Sequence, residues 1–117
     1  MGGFLVWLKE LTTVKRVLIT AEFSSLGVSR LAALGCEVQL AGWGQSHHPL
    51  STGKLIALLE GIEILICEVE EVSAQVLEAC PTLKVVAVCR SMPSNVDVAA
   101  ATKRHIPVLY TPGRNAD

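Results

Sequence analysis

The chain has 117 residues, half of them hydrophobic, and a mean hydropathy of +0.46, which suits one well-filled core and is short for a two-domain enzyme. Ten basic and eleven acidic residues leave a net charge of -1, and there are only two Trp, two Phe and one Tyr. With neither a basic stripe nor a set of stacking aromatics, nucleic acid is excluded as a partner.

Phe4, Leu5, Leu8 and Leu11 fall at near-helical spacing, so residues 1–13 read either as an extension with a short amphipathic helix or as a packing or disordered segment. The apolar run 4–8 is too short for a membrane span and has no basic flank for a signal peptide, so no membrane partner is expected. Residues 17–20 (Val, Leu, Ile, Thr) predict the first strand. A helix follows through Leu26, Val28, Leu31 and Leu34, with a serine before it and Gly35 after it.

Residues 36–41 predict a second strand, and 42–49 a polar, glycine-bearing loop. Ser51 or Thr52 caps the next helix, which carries Leu55, Ile56, Leu58 and Leu59 and stops at Gly61. Ile64, Leu65, Ile66 and Cys67 form a continuous apolar run, the mark of a strand covered on both faces. Ser73 begins a helix that places Val76, Leu77 and Ala79 toward the sheet and ends at Pro81. Residues 85–89 predict a fourth strand, 90–95 a short loop, Ala99 to Ala101 a helix, and Val108 to Tyr110 a fifth strand.

Strands alternating with helices at this spacing imply an α/β fold: a flavodoxin-like, Rossmann-like open parallel sheet of about five strands in the order 2-1-3-4-5, with helices on both faces. Ligands of such sheets usually bind at the carboxyl ends of the strands, and here the loop of Arg90, Ser91, Met92 and Pro93 is the candidate. The four cysteines, Cys36, Cys67, Cys80 and Cys89, have no C-x-x-C spacing and read as buried free thiols of a reducing compartment, so the expected location is cytoplasmic.

From Cys89 onward the sequence joins Arg90, Pro93, Asn95-Val96-Asp97, an alanine-rich helix, Ile106-Pro107-Val108 and Thr111-Pro112-Gly113-Arg114-Asn115-Ala116. Over about thirty residues this combination resembles the NAD-dependent D-isomer-specific 2-hydroxyacid dehydrogenases, phosphoglycerate dehydrogenase-like, where the N-terminal substrate domain runs into the hinge. The resemblance implies a substrate-binding domain over 14–111 and the start of a hinge at 112–117. It also implies a small 2-hydroxy or 2-oxo acid as ligand and a nucleotide-binding domain, absent from this chain, that carries NAD or NADP and the catalytic Arg, Glu and His. No G-x-G-x-x-G is present, so this chain is expected to be a fragment that binds no cofactor, holds no catalytic residue and is inactive alone. Apolar sheet surface left bare in such a fragment makes a homo-oligomer the expected further partner.

The substrate-binding residues under this reading are Arg90, Ser91, Met92, Pro93 and Asn115. Substrate carboxylates need fixed backbone donors, and the family supplies them from a Gly-Gly-Pro loop where this chain has Ser91-Met92-Pro93. A left-handed backbone at Ser91 or Met92 would then be strained, or the thioether would narrow the pocket. Arg90 reads either as a carboxylate ligand or as a structural cation on strand-end carbonyls. Asn115 is either the hinge residue that approaches the substrate or a turn residue. Asn95 is expected to cap the following helix, with Asp97 in its first turn. His47 and His48 read as exposed and unligated, His105 as a helix C-terminal cap or cation, and Glu68, Glu70 and Glu71 as a solvated acidic loop, so no metal is expected.

A self-sufficient flavodoxin-like binding or oligomerisation module is the alternative. Its known phosphoacceptor and flavin versions fit poorly, because the first and third strands end in Thr20-Ala21-Glu22 and Cys67-Glu68 and only Trp43 could stack on a flavin.

Overall fold

The structure, a computed structural model, describes residues 15–110. The N-terminal extension and the hinge, with Asn115, lie outside the described residues.

The apolar runs become short strands: β1 (Arg16–Ile19), β2 (Glu37–Leu40), β3 (Ile64–Cys67), β4 (Val85–Val88) and β5 (Val108–Tyr110). All pair in parallel in a single sheet of order β2-β1-β3-β4-β5, the order expected from the sequence. Side chains alternate across the sheet, so each strand feeds two cores. Leu18, Leu65, Cys67, Val86 and Val88 point to one face, Val17, Ile19 and Ile66 to the other.

The connecting helices are α1 (Ser25–Ala33), α2 (Trp43–Ser46), α3 (Thr52–Leu58), α4 (Ala74–Ala79) and α5 (Val98–Lys103). Leu55 and Leu59 at the α3 end, Val76 and Leu77 of α4 and Ala101 of α5 cover the first face. The second face is covered by Val28 and Leu31 of α1 together with Phe23. Helices therefore lie on both faces, three on one and one on the other. Leu18, Leu65 and Leu77 are fully buried, each worth about 1.5–3 kcal/mol relative to exposure.

Serines start three of these helices as expected: Ser24, Ser51 and Ser73 accept from the amides of Gly27, Lys54 and Val76 at 3.0, 3.3 and 3.4 Å. The cap of α5 differs from expectation. Asp97, not Asn95, accepts from the Ala100 amide, at 3.0 Å. Asn95 is drawn away because its side chain is engaged with the β3 loop instead. At the other end of α5, His105 takes the left-handed conformation (φ 59) and its amide closes on the Thr102 carbonyl at 3.0 Å, so it caps through its backbone.

The loop expected over 42–49 contains one helical turn, α2. Gly42 enters it at φ 72 and His47 leaves it at φ 60, conformations that pattern-reading of a polar stretch does not reveal. Of the four thiols, Cys67 and Cys80 are buried as expected, but Cys36 and Cys89 are only half-buried, at a strand entrance and a strand exit.

Candidate functional site

The loops that follow β1 to β4 gather at the carboxyl edge of the sheet. In an open sheet of this order the crevice is expected between β1 and β3. Here the chain itself fills it. The loop after β2 crosses over the end of β1: the Gly44 amide donates to the Thr20 carbonyl at 2.8 Å, and a Cβ on Gly44 would drive into the Ala21 carbonyl. Only glycine permits this approach.

Glu70, in the loop after β3, holds that crossing in place. It was expected in a solvated acidic loop, yet its side chain is 0% exposed. Its Oε2 accepts the amides of Trp43 at 2.9 Å and Leu50 at 3.1 Å, one at each end of the crossing loop. The burial is possible because converging backbone donors replace the water that a carboxylate would lose. A Cβ on Gly42 would meet Glu70 Oε2 at 2.5 Å, so glycine there makes room for the carboxylate. Among the described residues, Glu70 Oε1 has no hydrogen-bond partner. Residues Gly42-Trp43-Gly44 were the available sequence signal: two glycines flanking a large side chain imply close backbone approach and amides in need of an acceptor.

Glu70 also reaches the fourth loop. Its carbonyl accepts from Asn95 Nδ2 at 2.9 Å, while the Val72 amide donates to the Asn95 carbonyl at 2.8 Å and the Asp97 amide to the Val72 carbonyl at 2.9 Å. Val72 and Val96 form an isolated parallel bridge. Asn95 Nδ2 lies 3.7 Å from Cys67 Sγ. Burial, with Glu70 and Cys89 adding to it against the Asn95 contact, pushes the Cys67 thiol up to about 12, so it is inert as a nucleophile.

The candidate substrate loop emerges from β4 immediately before this stitched segment. The Val96 amide donates to the Pro93 carbonyl at 3.1 Å and closes it. Arg90 and Met92 are exposed, Met92 at 68%, and Ser91 and Pro93 are half-buried. Among the described residues, His47 and His105 are the non-glycine positions with positive φ. Neither Ser91 nor Met92 therefore takes the left-handed conformation, and the Met92 side chain is turned out to solvent. A depression of about 260 Å³ lies at the foot of the loop, between Glu71, Ser73, Ser94, Asn95 and Asp97. Its rim is acidic, so an incoming carboxylate is favoured only on the Arg90 side.

The remaining residues singled out from sequence stand apart from this loop. His47 and His48 are exposed. The His47 ring lies edge-on to Trp43 at 5.5 Å and its Nε2 is 4.0 Å from Glu22 Oε1. Glu68 accepts the Glu22 amide at 3.1 Å. Among the described residues no three His, Cys, Asp or Glu side chains gather to hold a metal ion, and no helix is long and apolar enough to cross a membrane. The nearest approach to a dinucleotide cradle is Gly42-Trp43-Gly44. The Trp43 amide and the space over both glycines are taken by Glu70, Leu50 and the Ala21 carbonyl, so these residues do not fit a pyrophosphate.

Residues 17–117 match the D-isomer specific 2-hydroxyacid dehydrogenase, catalytic domain. The chain belongs to this family. It is 42% identical over 111 residues to the Bacillus subtilis protein YoaD, whose name is that of a 2-hydroxyacid dehydrogenase, a match covering 93% of this chain and 32% of that protein. A D-3-phosphoglycerate dehydrogenase of Mycobacterium leprae is 39% identical over 90 residues, covering 77% of this chain and 16% of its own length. The chain thus spans about a third of the first of these relatives and less of the second. Among solved structures, the TT0316 protein of Thermus thermophilus superposes with a TM-score of 0.71 at 33% identity, covering 84% of this chain and 30% of that one. The NAD+-bound 3-phosphoglycerate dehydrogenase of Entamoeba histolytica superposes at 0.74 with 18% identity, covering 88% of this chain and 34% of that one, and supports the fold alone.

Proposed function

We propose that this chain is the substrate-binding half of a cytoplasmic D-2-hydroxyacid dehydrogenase, with a domain over 14–111 and a hinge from 112. Arg90 supplies charge and the Ser91 and Met92 amides supply donors to the carboxylate of a small 2-hydroxy or 2-oxo acid. Pro93 shapes the turn, and Asn115 approaches the acid from the hinge. The observation that carries this reading is the position of the Arg90–Pro93 loop: it opens at the carboxyl edge beside β4, while the neighbouring crevice is closed by the protein's own chain.

Hydride transfer then needs a nucleotide-holding domain besides this one, because the Gly42-Trp43-Gly44 turn is packed against protein rather than open to a phosphate. NAD or NADP supplies the hydride chemistry when bound to that domain. This chain's own residues bind and orient the acid, and alone the chain turns nothing over.

The test is a titration of the ¹⁵N-labelled chain with glyoxylate, pyruvate and 2-oxoglutarate. Shifts concentrated at Arg90, Ser91 and Met92 are expected, and Arg90→Ala should weaken binding by about tenfold, the value of one charge-assisted contact. Shifts elsewhere, or equal binding by the Ala variant, would overturn the assignment.

A second role rests on the exposed edge strand. Leu109 is 56% and Tyr110 47% exposed on β5, and Leu109 stands opposite Ala87, on the side of the sheet that α1 packs against. Self-association through this apolar edge is the expected consequence. Sedimentation velocity should show a concentration-dependent dimer that Leu109→Lys disperses.

A further inference from the structure

A fully buried carboxylate that, among the described residues, has no cation paired with it and one oxygen without a hydrogen-bond partner is a costly way to hold a loop. An apolar side chain could not accept the two amides that Glu70 holds, so the carboxylate fixes the shape of the chain at a particular place. The hydrogen bonds around Glu70 say which place. Its carboxylate holds both ends of the loop after β2, through Trp43 and Leu50 at 2.9 and 3.1 Å. Its carbonyl holds the Asn95 side chain at 2.9 Å, and the Asn95 backbone is bound to Val72 at 2.8 Å. One residue further on, the Val96 amide closes the Arg90–Pro93 loop on the Pro93 carbonyl at 3.1 Å.

We propose that Glu70 is a positioning residue for the substrate acid: through Asn95 it transmits the rigidity of the loop after β2 to the loop that receives the carboxylate. It touches no substrate itself. The proposal rests on the assignment of the Arg90–Pro93 loop made above, and its test separates the two.

The experiment is amide hydrogen exchange on the 117-residue chain without ligand, comparing Glu70→Ala with the parent, alone and with tens of millimolar formate or formamide. Exchange at 43–50 and at 90–96 should quicken together by about tenfold, while Leu55 and Leu59 of the α3 end stay protected. Formate, which restores an anion between the Trp43 and Leu50 amides, should slow both segments again, and neutral formamide should not. Opening of 43–50 with 90–96 unchanged overturns the proposal, as does equal rescue by the two additives.

If Glu70→Ala fails to fold, Glu70→Gln keeps one acceptor for the two amides and should open both segments by a smaller factor. Should Gln open the first segment alone, the coupling is refuted. A 2-oxo acid titration of the same proteins then reads the assignment separately. Absence of binding by the parent chain rejects the substrate loop while leaving the exchange result to decide the coupling. Binding that weakens in Glu70→Ala and returns with formate unites them.

Discussion

Two glutamates flank β3, and they show how differently one side chain can be used at the two ends of a strand. Glu63, at the amino edge, is 13% exposed and lies between Lys15 at 3.2 Å and Lys84 at 3.4 Å. Glu70, at the carboxyl edge, is buried, has no lysine or arginine paired with it among the described residues, and takes backbone amides instead. Long lysine stems can reach a carboxylate at the water's edge and keep their ammonium groups solvated. A loop folded over the sheet brings rigid donors that need no side-chain ordering. The first arrangement is a tie that salt and acid loosen, and the second is part of the fold.

Removing the carboxylate at the carboxyl edge should therefore have the largest effect. Glu70→Ala leaves the part-buried amides of Trp43 and Leu50 without their acceptor, a loss of about 3 kcal/mol, measurable as a shift of the urea midpoint. Gly44→Ala tests the same region from the other side. Its Cβ would press on the Ala21 carbonyl, which is backbone and cannot swing aside. A cost of about 1–3 kcal/mol is expected, as for other overpacked sites. If both changes prove mild, the closed crevice is not what stiffens this edge, and the contrast with Glu63 fails.

Strand order, serine caps and the buried run 64–67 follow from periodicity and local chemistry, both written within a few residues of each other. Asn95 as a cap was a reasonable local reading, but Asp97 two residues on offers the same chemistry, and only the approach of the β3 loop decides between them. The burial of Glu70 is hidden from local reading for the same reason. Its partners, Trp43 and Leu50, are twenty or more residues away, and a carboxylate bound to backbone amides leaves no cation in the sequence to pair it with. That Ser91 and Met92 avoid the left-handed conformation depends on loop backbone angles, which their residue types do not announce.

Glu63 should give the smallest effect and the most condition-dependent one. Burial alone would raise its pKa, but hydrogen bonding and charge from Lys15, then from Lys84, outweigh it and hold the carboxyl below the ordinary range. A folded-state pKa below the unfolded one, near 4.3, means that the ionised carboxylate contributes its stabilisation above that unfolded value. The contribution is lost as pH falls through the lower folded value. Glu63→Gln should accordingly cost under about 1 kcal/mol at neutral pH and less still in high salt. The gap between the parent and Gln chains should stay constant from pH 7 to about 5 and close in more acidic solution. Glu70→Ala should show no such salt sensitivity, since its amide partners carry no net charge to screen. A Glu63→Gln penalty that persists in molar salt would mean that the lysines pack against Glu63 rather than merely neutralise it, and the two ends of β3 would then be held by the same kind of contact.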